Sequence, residues 1–295
     1  MNKTISVDII IDGGGFFMAK RKRTAIHRKN EDDYTLIPHG QAYIPYILIQ
    51  DVASMGRSTR RYGIKTGRQH DFLSDLERNF FMMLEFCDEV VDVREQFPLK
   101  LEETLLIADE LGIKHPANPV TKEAITMTSD FCITLKVGKL TQDIIRTTKY
   151  KKELLDRRVI EKFTIEKTYW ERRGIDWGIV TEEDVNKIYS QNISDILGYY
   201  ELTDNVGFNE INEEERDDII IAFLQRLFDI DKNIRQISSR FEKDLHLKKG
   251  AGIALFKHLV ARKYISIDLL SPICLDQPIT IELLTKSREL GESVS

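Results

Sequence analysis

"MTSDFCITLKVGKLTQDIIRTTK", residues Met127 to Lys149, reads as two extended arms joined at Gly138-Lys139. Val, Ile, Leu and Thr fill both arms, and a glycine-first pair is the kind that closes a two-residue β-hairpin. With Gly138 and Lys139 as the turn, Val137 faces Leu140, and counting outward sets Asp130 opposite Thr147. Cross-strand partners share a sheet face, as do residues two apart on one strand. Asp130, Thr147 and Lys149 are therefore expected on one face; a one-residue slip would separate them. An acid and a lysine gathered at one sheet edge make either a salt bridge or a metal-dependent active site.

The flanking segments place this hairpin in an α/β domain. "LSDLERNFFMMLEF" carries Leu76, Phe80, Met83 and Leu84 at helical spacing, and Ser74-x-x-Glu77 matches a capping box. "EVVDVREQFPL" reads as a strand stopping at Pro98, and "YIPYILIQDV" as extended structure. Between "EVVDVREQFPL" and the hairpin lies a polar segment. After the hairpin, "ELLDRRVIEKFTIEKTYWERRG" shows Leu155, Val159, Phe163 and Trp170 on a stripe ending at Gly174, and "IDWGIVT" supplies another strand. This order predicts an α/β domain with a mixed sheet ending near Thr181. Residues 182–295 read as mainly helical, and "GAGIALFKHLVARKYISIDL" resembles a helix running into a short strand, as in winged-helix modules. Trp170 and Trp177 are expected in the core.

The chain has 295 residues, and no apolar run approaches the length of a membrane span. Cys87, Cys132 and Cys274 lack metal-type spacing, which points to reduced thiols and a cytoplasmic protein. The net charge of −5 conceals an asymmetry: residues 18–70 hold eleven Lys/Arg against four Asp/Glu, whereas residues 182–232 hold fourteen acids against four Lys/Arg. A basic front suits a polyanion; the acidic stretch does not lie along phosphates. "IIIDGGGFF" ahead of "MAKRKR" has the look of a translated ribosome-binding site, so Met18 is the expected natural start, with residues 1–17 not native. The expected division is a basic arm over 1–42, a catalytic domain over 43–181 and a partner-binding domain over 182–295.

Magnesium prefers oxygen ligands and keeps several waters, so one or two carboxylates suffice for its protein shell. Phosphodiester hydrolysis needs charge offset, a deprotonated water and a stabilised leaving oxygen, and a lysine at the same place assists. Asp130 and Lys149 fit those demands, with Glu77 as a second carboxylate. A hairpin ion pair with a capping Glu77 is the structural alternative.

"YIPYILIQDVASMGRS", "KTGRQHDFLSDLE", "VDVREQFPL", "GIKHP" and "TSDF", in this order and spacing, closely resemble the TnsA family. That family supplies the endonuclease subunit of heteromeric bacterial cut-and-paste transposases. The resemblance spans roughly Tyr43 to Thr181 and weakens beyond. It implies a restriction-endonuclease-like fold, followed by a winged-helix-like C-terminal domain. It makes Glu77 the helix carboxylate, Asp130 the central metal ligand and Lys149 the catalytic lysine, with Mg2+ as cofactor and Mn2+ as its substitute. The family places Gln where this chain has Thr147. The shorter hydroxyl binds metal through water or leaves the task to the Thr148 carbonyl, and the second metal is the one this departure weakens.

The resemblance further implies cleavage of the 5′ strands at transposon ends, in a bacterial cytoplasm. The implied partners are a TnsB-like transposase acting on the 3′ ends and a TnsC-like ATPase, contacted through the C-terminal domain. The alternative is a non-catalytic subunit docking TnsB and TnsC on DNA. His70 and His115 stand near these motifs as phosphate or metal contacts or as ordinary polar residues. Arg57, Arg60, Arg61, Lys65 and Arg68 are candidates for a DNA path. Lys248, Lys249, Lys257 and Arg262 are candidates for contact with DNA or a protein partner.

Overall fold

The computed structural model describes residues 36–51, 57–205, 207–227 and 232–284. Residues 1–35, with the expected start at Met18, lie outside the described residues. The hairpin stands as counted. Strands β4 (Thr128–Val137) and β5 (Leu140–Thr148) pair antiparallel from Val137↔Leu140 to Phe131↔Arg146. Gly138 supplies the left-handed residue at the turn, φ +63°.

Two further strands complete a four-stranded mixed sheet in the order β3-β4-β5-β6. β3 (Val90–Pro98) runs antiparallel to β4, and β6 (Asp176–Val180) runs parallel to β5. The parallel step needs a crossover, which α3 (Arg157–Glu171) provides. On one sheet face, Val93, Phe131 and Ile133 pack with Phe72 and Phe81 of β2 (Arg68–Phe72) and α1 (Asp75–Phe86). On the other, Phe97, Cys132 and Ile145 pack with Ile107 of α2 (Leu101–Glu110) and with Ile165 and Trp170 of α3. β2 pairs antiparallel with β1 (Thr59–Gly63) in a separate two-stranded ribbon.

The alternation of faces breaks once. Val93 and Glu95 point to the α1 side, yet Phe97 points to the α3 side; on β4, Phe131 points to α1 and Ser129 to α3. The reversal falls at Gln96, whose φ is +48°, and at Asp130 across from it. The paired register steps over these two residues without changing count, from Glu95↔Phe131 to Phe97↔Ser129. Gln96 is held there by the Thr128 hydroxyl, which donates to its side-chain oxygen, and by the Tyr46 amide, which donates to its carbonyl. That contact accounts for "YIPYILIQDV". Rather than a strand, its described part is irregular with a 3₁₀ turn at Ile49–Asp51, lying along β3 with the Tyr43 hydroxyl donating to the Glu95 carbonyl.

Two helices start differently from expectation. α3 begins after Asp156, whose carboxylate caps it by accepting from the Arg158 amide, so Leu155 falls outside the stripe and is exposed. α2 lies inside the stretch read only as polar. α1 begins as predicted: Ser74 Oγ accepts from the Glu77 amide, while the Glu77 carboxylate reaches the Leu73 amide rather than closing the box on Ser74.

The remaining chain is helical: α4 (Lys187–Ile196), α5 (Glu213–Arg226), α6 (Ile234–Asp244) and α7 (Ala251–Ala261). One small ribbon joins them, β7 (Ile265–Ser266) with β8 (Glu282–Leu283). Their apolar faces are continuous with the sheet face behind α1, in one cluster running from Phe131 through Phe81 to Phe256. Polar ties reinforce it: Ser190 Oγ donates to the Asn79 carbonyl, and Lys263 Nζ donates to the Phe86 carbonyl at the end of α1, where a cation suits the helix dipole. Among the described residues no helix is long and apolar enough to cross a membrane.

α6 and α7 approach so closely that a Cβ on Gly252 would sit 2.6 Å from Ser238 Cα. Gly252→Ala is expected to cost about 1–3 kcal/mol through overpacking, read as a lower denaturant midpoint with an unchanged slope.

Candidate active site

The reversal at Gln96 and Asp130 decides where the acids meet. Because the backbone turns over there, Asp130 leaves the face of Thr147. Its Oδ2 instead accepts from the Thr148 amide at 2.8 Å and the Thr148 hydroxyl at 2.9 Å. Thr147 keeps the regular alternation, stays on the α3 side and donates to Glu166 Oε1 at 2.5 Å. The expectation that Asp130 and Thr147 share a face is thus corrected: register fixes which residues are opposite, but a left-handed residue in the neighbouring strand alters which way they point.

Glu77, Asp130, Thr147, Thr148 and Lys149 all line one cavity of about 690 Å³, together with Glu166. The sheet supplies one wall, the first turn of α1 a second and α3 a third. Glu77 Oε2 accepts from the Leu73 amide at 2.9 Å, and the Ser74 hydroxyl is a second hydrogen-bond partner of the carboxyl. Asp130 Oδ1 has only a 3.5 Å contact from Gln96 Nε2. Each carboxylate has one oxygen pinned by a backbone N–H. The Lys149 ammonium lies 3.6 Å from Glu153 and makes no direct ion pair with Asp130.

Glu166 was not anticipated. Its Oε1 accepts from Ser129, Thr147 and Trp177, at 2.6, 2.5 and 3.0 Å. An acid on the inward stripe of a helix, next to Ile165 and one turn from Trp170, is the available sequence signal, since a lone carboxylate is seldom buried without donors.

Electrostatics follow from crowding acids out of bulk water. Burial, and then the neighbouring Asp130 charge, lifts the Glu77 carboxyl to about 8, against the opposing bonds of Leu73 and Ser74 and the field of Lys149. Burial also raises Asp130, opposed by Thr148 and Lys149. Burial pushes Glu166 up to about 7 despite its three donors. A carboxyl titrating near neutrality on the cavity wall is suited to passing a proton to or from water.

The donors fit a hard divalent cation. The cavity lining offers carboxylate and hydroxyl oxygens with no His or Cys, and two acids that repel each other until a cation sits between them. Among the described residues, no three His, Cys, Asp or Glu side chains are grouped to hold a metal by themselves. Two carboxylates alone would leave the remaining positions around such an ion to water.

The other candidates separate. His70 is fully buried and bonded to Glu95 and Thr66; Arg68 clamps Glu95 with both terminal nitrogens. Burial alone would raise Glu95, but these partners outweigh it and hold the carboxyl at about 2. Lys65 Nζ donates to the Cys87 and Val90 carbonyls. These three brace the fold through bonds within the chain. Arg57, Arg60 and Arg61 remain exposed, with Arg60 also bonded to Asp71. His115 bridges Thr104 and Pro116, and burial lowers its pKa. Lys257 pairs with Asp195 and Arg262 with Glu201, whereas Lys248 and Lys249 are exposed. Trp170 is fully buried; Trp177 is partly exposed and serves Glu166.

Known families match this architecture. A model described as the TnsA-like endonuclease N terminal covers residues 87–182, taking in Asp130, Lys149 and Glu166 but not Glu77, and one described as the TnsA endonuclease C terminal covers 184–269. The transposon Tn7 transposition protein TnsA of Escherichia coli is 33% identical over 259 residues, 83% of this chain and 89% of that protein.

The raised Glu77 carboxyl carries a stability consequence. Its folded state holds a proton more tightly than the unfolded chain, so stability present below 4.5 is lost as pH rises toward about 8. The loss is at most ~1.4 kcal/mol per pH unit. Urea unfolding of metal-free protein should show Glu77→Gln losing less stability than wild type over that interval.

Proposed function

The chain belongs to the TnsA endonuclease family, and we propose on that premise that it is a magnesium-dependent DNA endonuclease cutting the 5′ strands at transposon ends. The supporting observation is that Glu77, Asp130 and Lys149, from three separate stretches, line one cavity, with one oxygen of each acid held by a backbone N–H. Asp130 and Glu77 would hold Mg2+, with Mn2+ as substitute; when bound, the ion offsets phosphate charge and makes water a better nucleophile. Thr148 holds Asp130 in place and is the candidate for a carbonyl ligand. Thr147 holds Glu166, a weaker case for direct ligation. Lys149 stabilises developing charge or orients the attacking water. Glu166 accepts or returns the proton.

We assign the other partners by the same resemblance: a TnsB-like transposase for the 3′ strands and a TnsC-like ATPase. The C-terminal portion is the proposed contact for the ATPase. The succession α6, α7, β7 and β8 supports reading it as winged-helix-like. A second reading, an assembly subunit without catalysis, is favoured by Thr147, whose hydroxyl is engaged by Glu166. It predicts no magnesium or manganese binding that depends on Asp130.

A reconstituted excision assay with the neighbouring transposase proteins, mapping each strand break, tests the proposal. Asp130→Ala should abolish 5′ cutting with the circular-dichroism spectrum unchanged, and Lys149→Ala should reduce cutting by about 100-fold or more, the scale of losing one transition-state contact. Full 5′ cutting by Asp130→Ala refutes the assignment.

A further inference from the structure

Two lysines at or beside the active-site cavity have acidic partners: Lys149 meets Glu153, and Lys151 meets Glu183. Lys152 and Lys162 are different. Both line the cavity, yet among the described residues neither ammonium makes a hydrogen bond or ion pair. Lys162 stands one turn before Glu166 on α3, so its stem rises from the same helix face as an acid of the cavity wall. Lys152 belongs to the 3₁₀ turn Lys151–Leu155 that follows Lys149.

We propose that Lys152 and Lys162 form a two-point grip for backbone phosphates of the strand being cut, beside the acids of the cavity. The inference rests on the nuclease reading and names how its substrate is held. Lys162 is exposed, with Lys149 and Arg158 as cationic neighbours and Asp156 as its acidic one, and partial desolvation chiefly lowers its pKa. Like charges gathered on one wall repel until an anion lies between them. A phosphodiester supplies that anion in a continuous row, and ammonium groups hold it without reading base sequence.

The test is fluorescence anisotropy of full-length protein on a labelled DNA duplex across a salt series. The wild type should lose affinity with salt, and the Lys152→Gln, Lys162→Gln double variant should show a slope of log K against log salt shallower by about 2, near 0.9 per phosphate contact. The corresponding double Lys→Arg variant should keep the wild-type slope, since charge is what the grip needs. A wild type without salt-dependent binding, or a double Gln variant with the wild-type slope, overturns the grip. So does an unchanged slope accompanied by lost association with the transposase proteins, which would assign the two lysines to an acidic protein surface. Asp130→Ala in parallel separates the two claims: it should keep the slope and lose cleavage. Retained cleavage would sink the assignment of Asp130 to the active site, while the grip would still be judged by the slope.

Discussion

A single inversion of side-chain direction, where Gln96 faces Asp130 across β3 and β4, governs the rest of this structure. A left-handed glutamine costs on the order of 1–3 kcal/mol and persists only where its surroundings over-determine it. Here the Tyr46 amide and the Thr128 hydroxyl do so. The gain is positional. Without the inversion Asp130 would share a layer with Thr147 and face α3; with it, the carboxylate is secured by the Thr148 amide and becomes an electrostatic neighbour of Glu77. Strain of this kind concentrates at functional sites because regular strands cannot aim a side chain against their own pleat.

The acids are arranged to be uncomfortable and still well held. Glu77 and Asp130 each have one oxygen fixed by a backbone N–H, which stops the side chains from swinging apart to relieve their repulsion. Burial chiefly raises both pKa values, and at Glu77 the Asp130 charge adds to it. Glu166 differs: its donors all converge on one oxygen, so it is more a proton-holding group than a third arm of the pair. Polar groups set this way, with little freedom to reorganise, are suited to stabilising charge that appears only during reaction.

What the sequence made legible depended on local rules, and what escaped it depended on tertiary contact. Turn chemistry gave the Val137↔Leu140 register, and spacing gave α1 and its Ser74 cap. Counting in twos did not reveal the inversion, because the positive φ at Gln96 is sustained by partners from elsewhere in the chain. The same limit explains "YIPYILIQDV": its aromatic and branched residues suit a strand, yet the described part lends β3 a few hydrogen bonds instead of pairing as a strand. Basic residues were the least readable. Lys65 and Arg68 look from the sequence like Arg60 and Arg61, but the first two are consumed by buried carbonyls and Glu95. Glu166 was hidden by its own helix, whose aromatic stripe drew attention to packing.

α1 is the element both portions of the chain share. Its first turn carries Glu77, its flank packs on the sheet, and its far end is tied through Asn79 and Phe86 to Ser190 and Lys263 of the helical portion. A split or fusion joint placed in the acidic connector between Val180 and Lys187 would therefore not release two self-sufficient pieces. The leading fragment would bare the aromatic side of α1, including Phe86, to water and lose the cation at that helix's carbonyl end, inviting self-association. For anyone grafting this protein onto another carrier, the portable unit is the whole pair of portions.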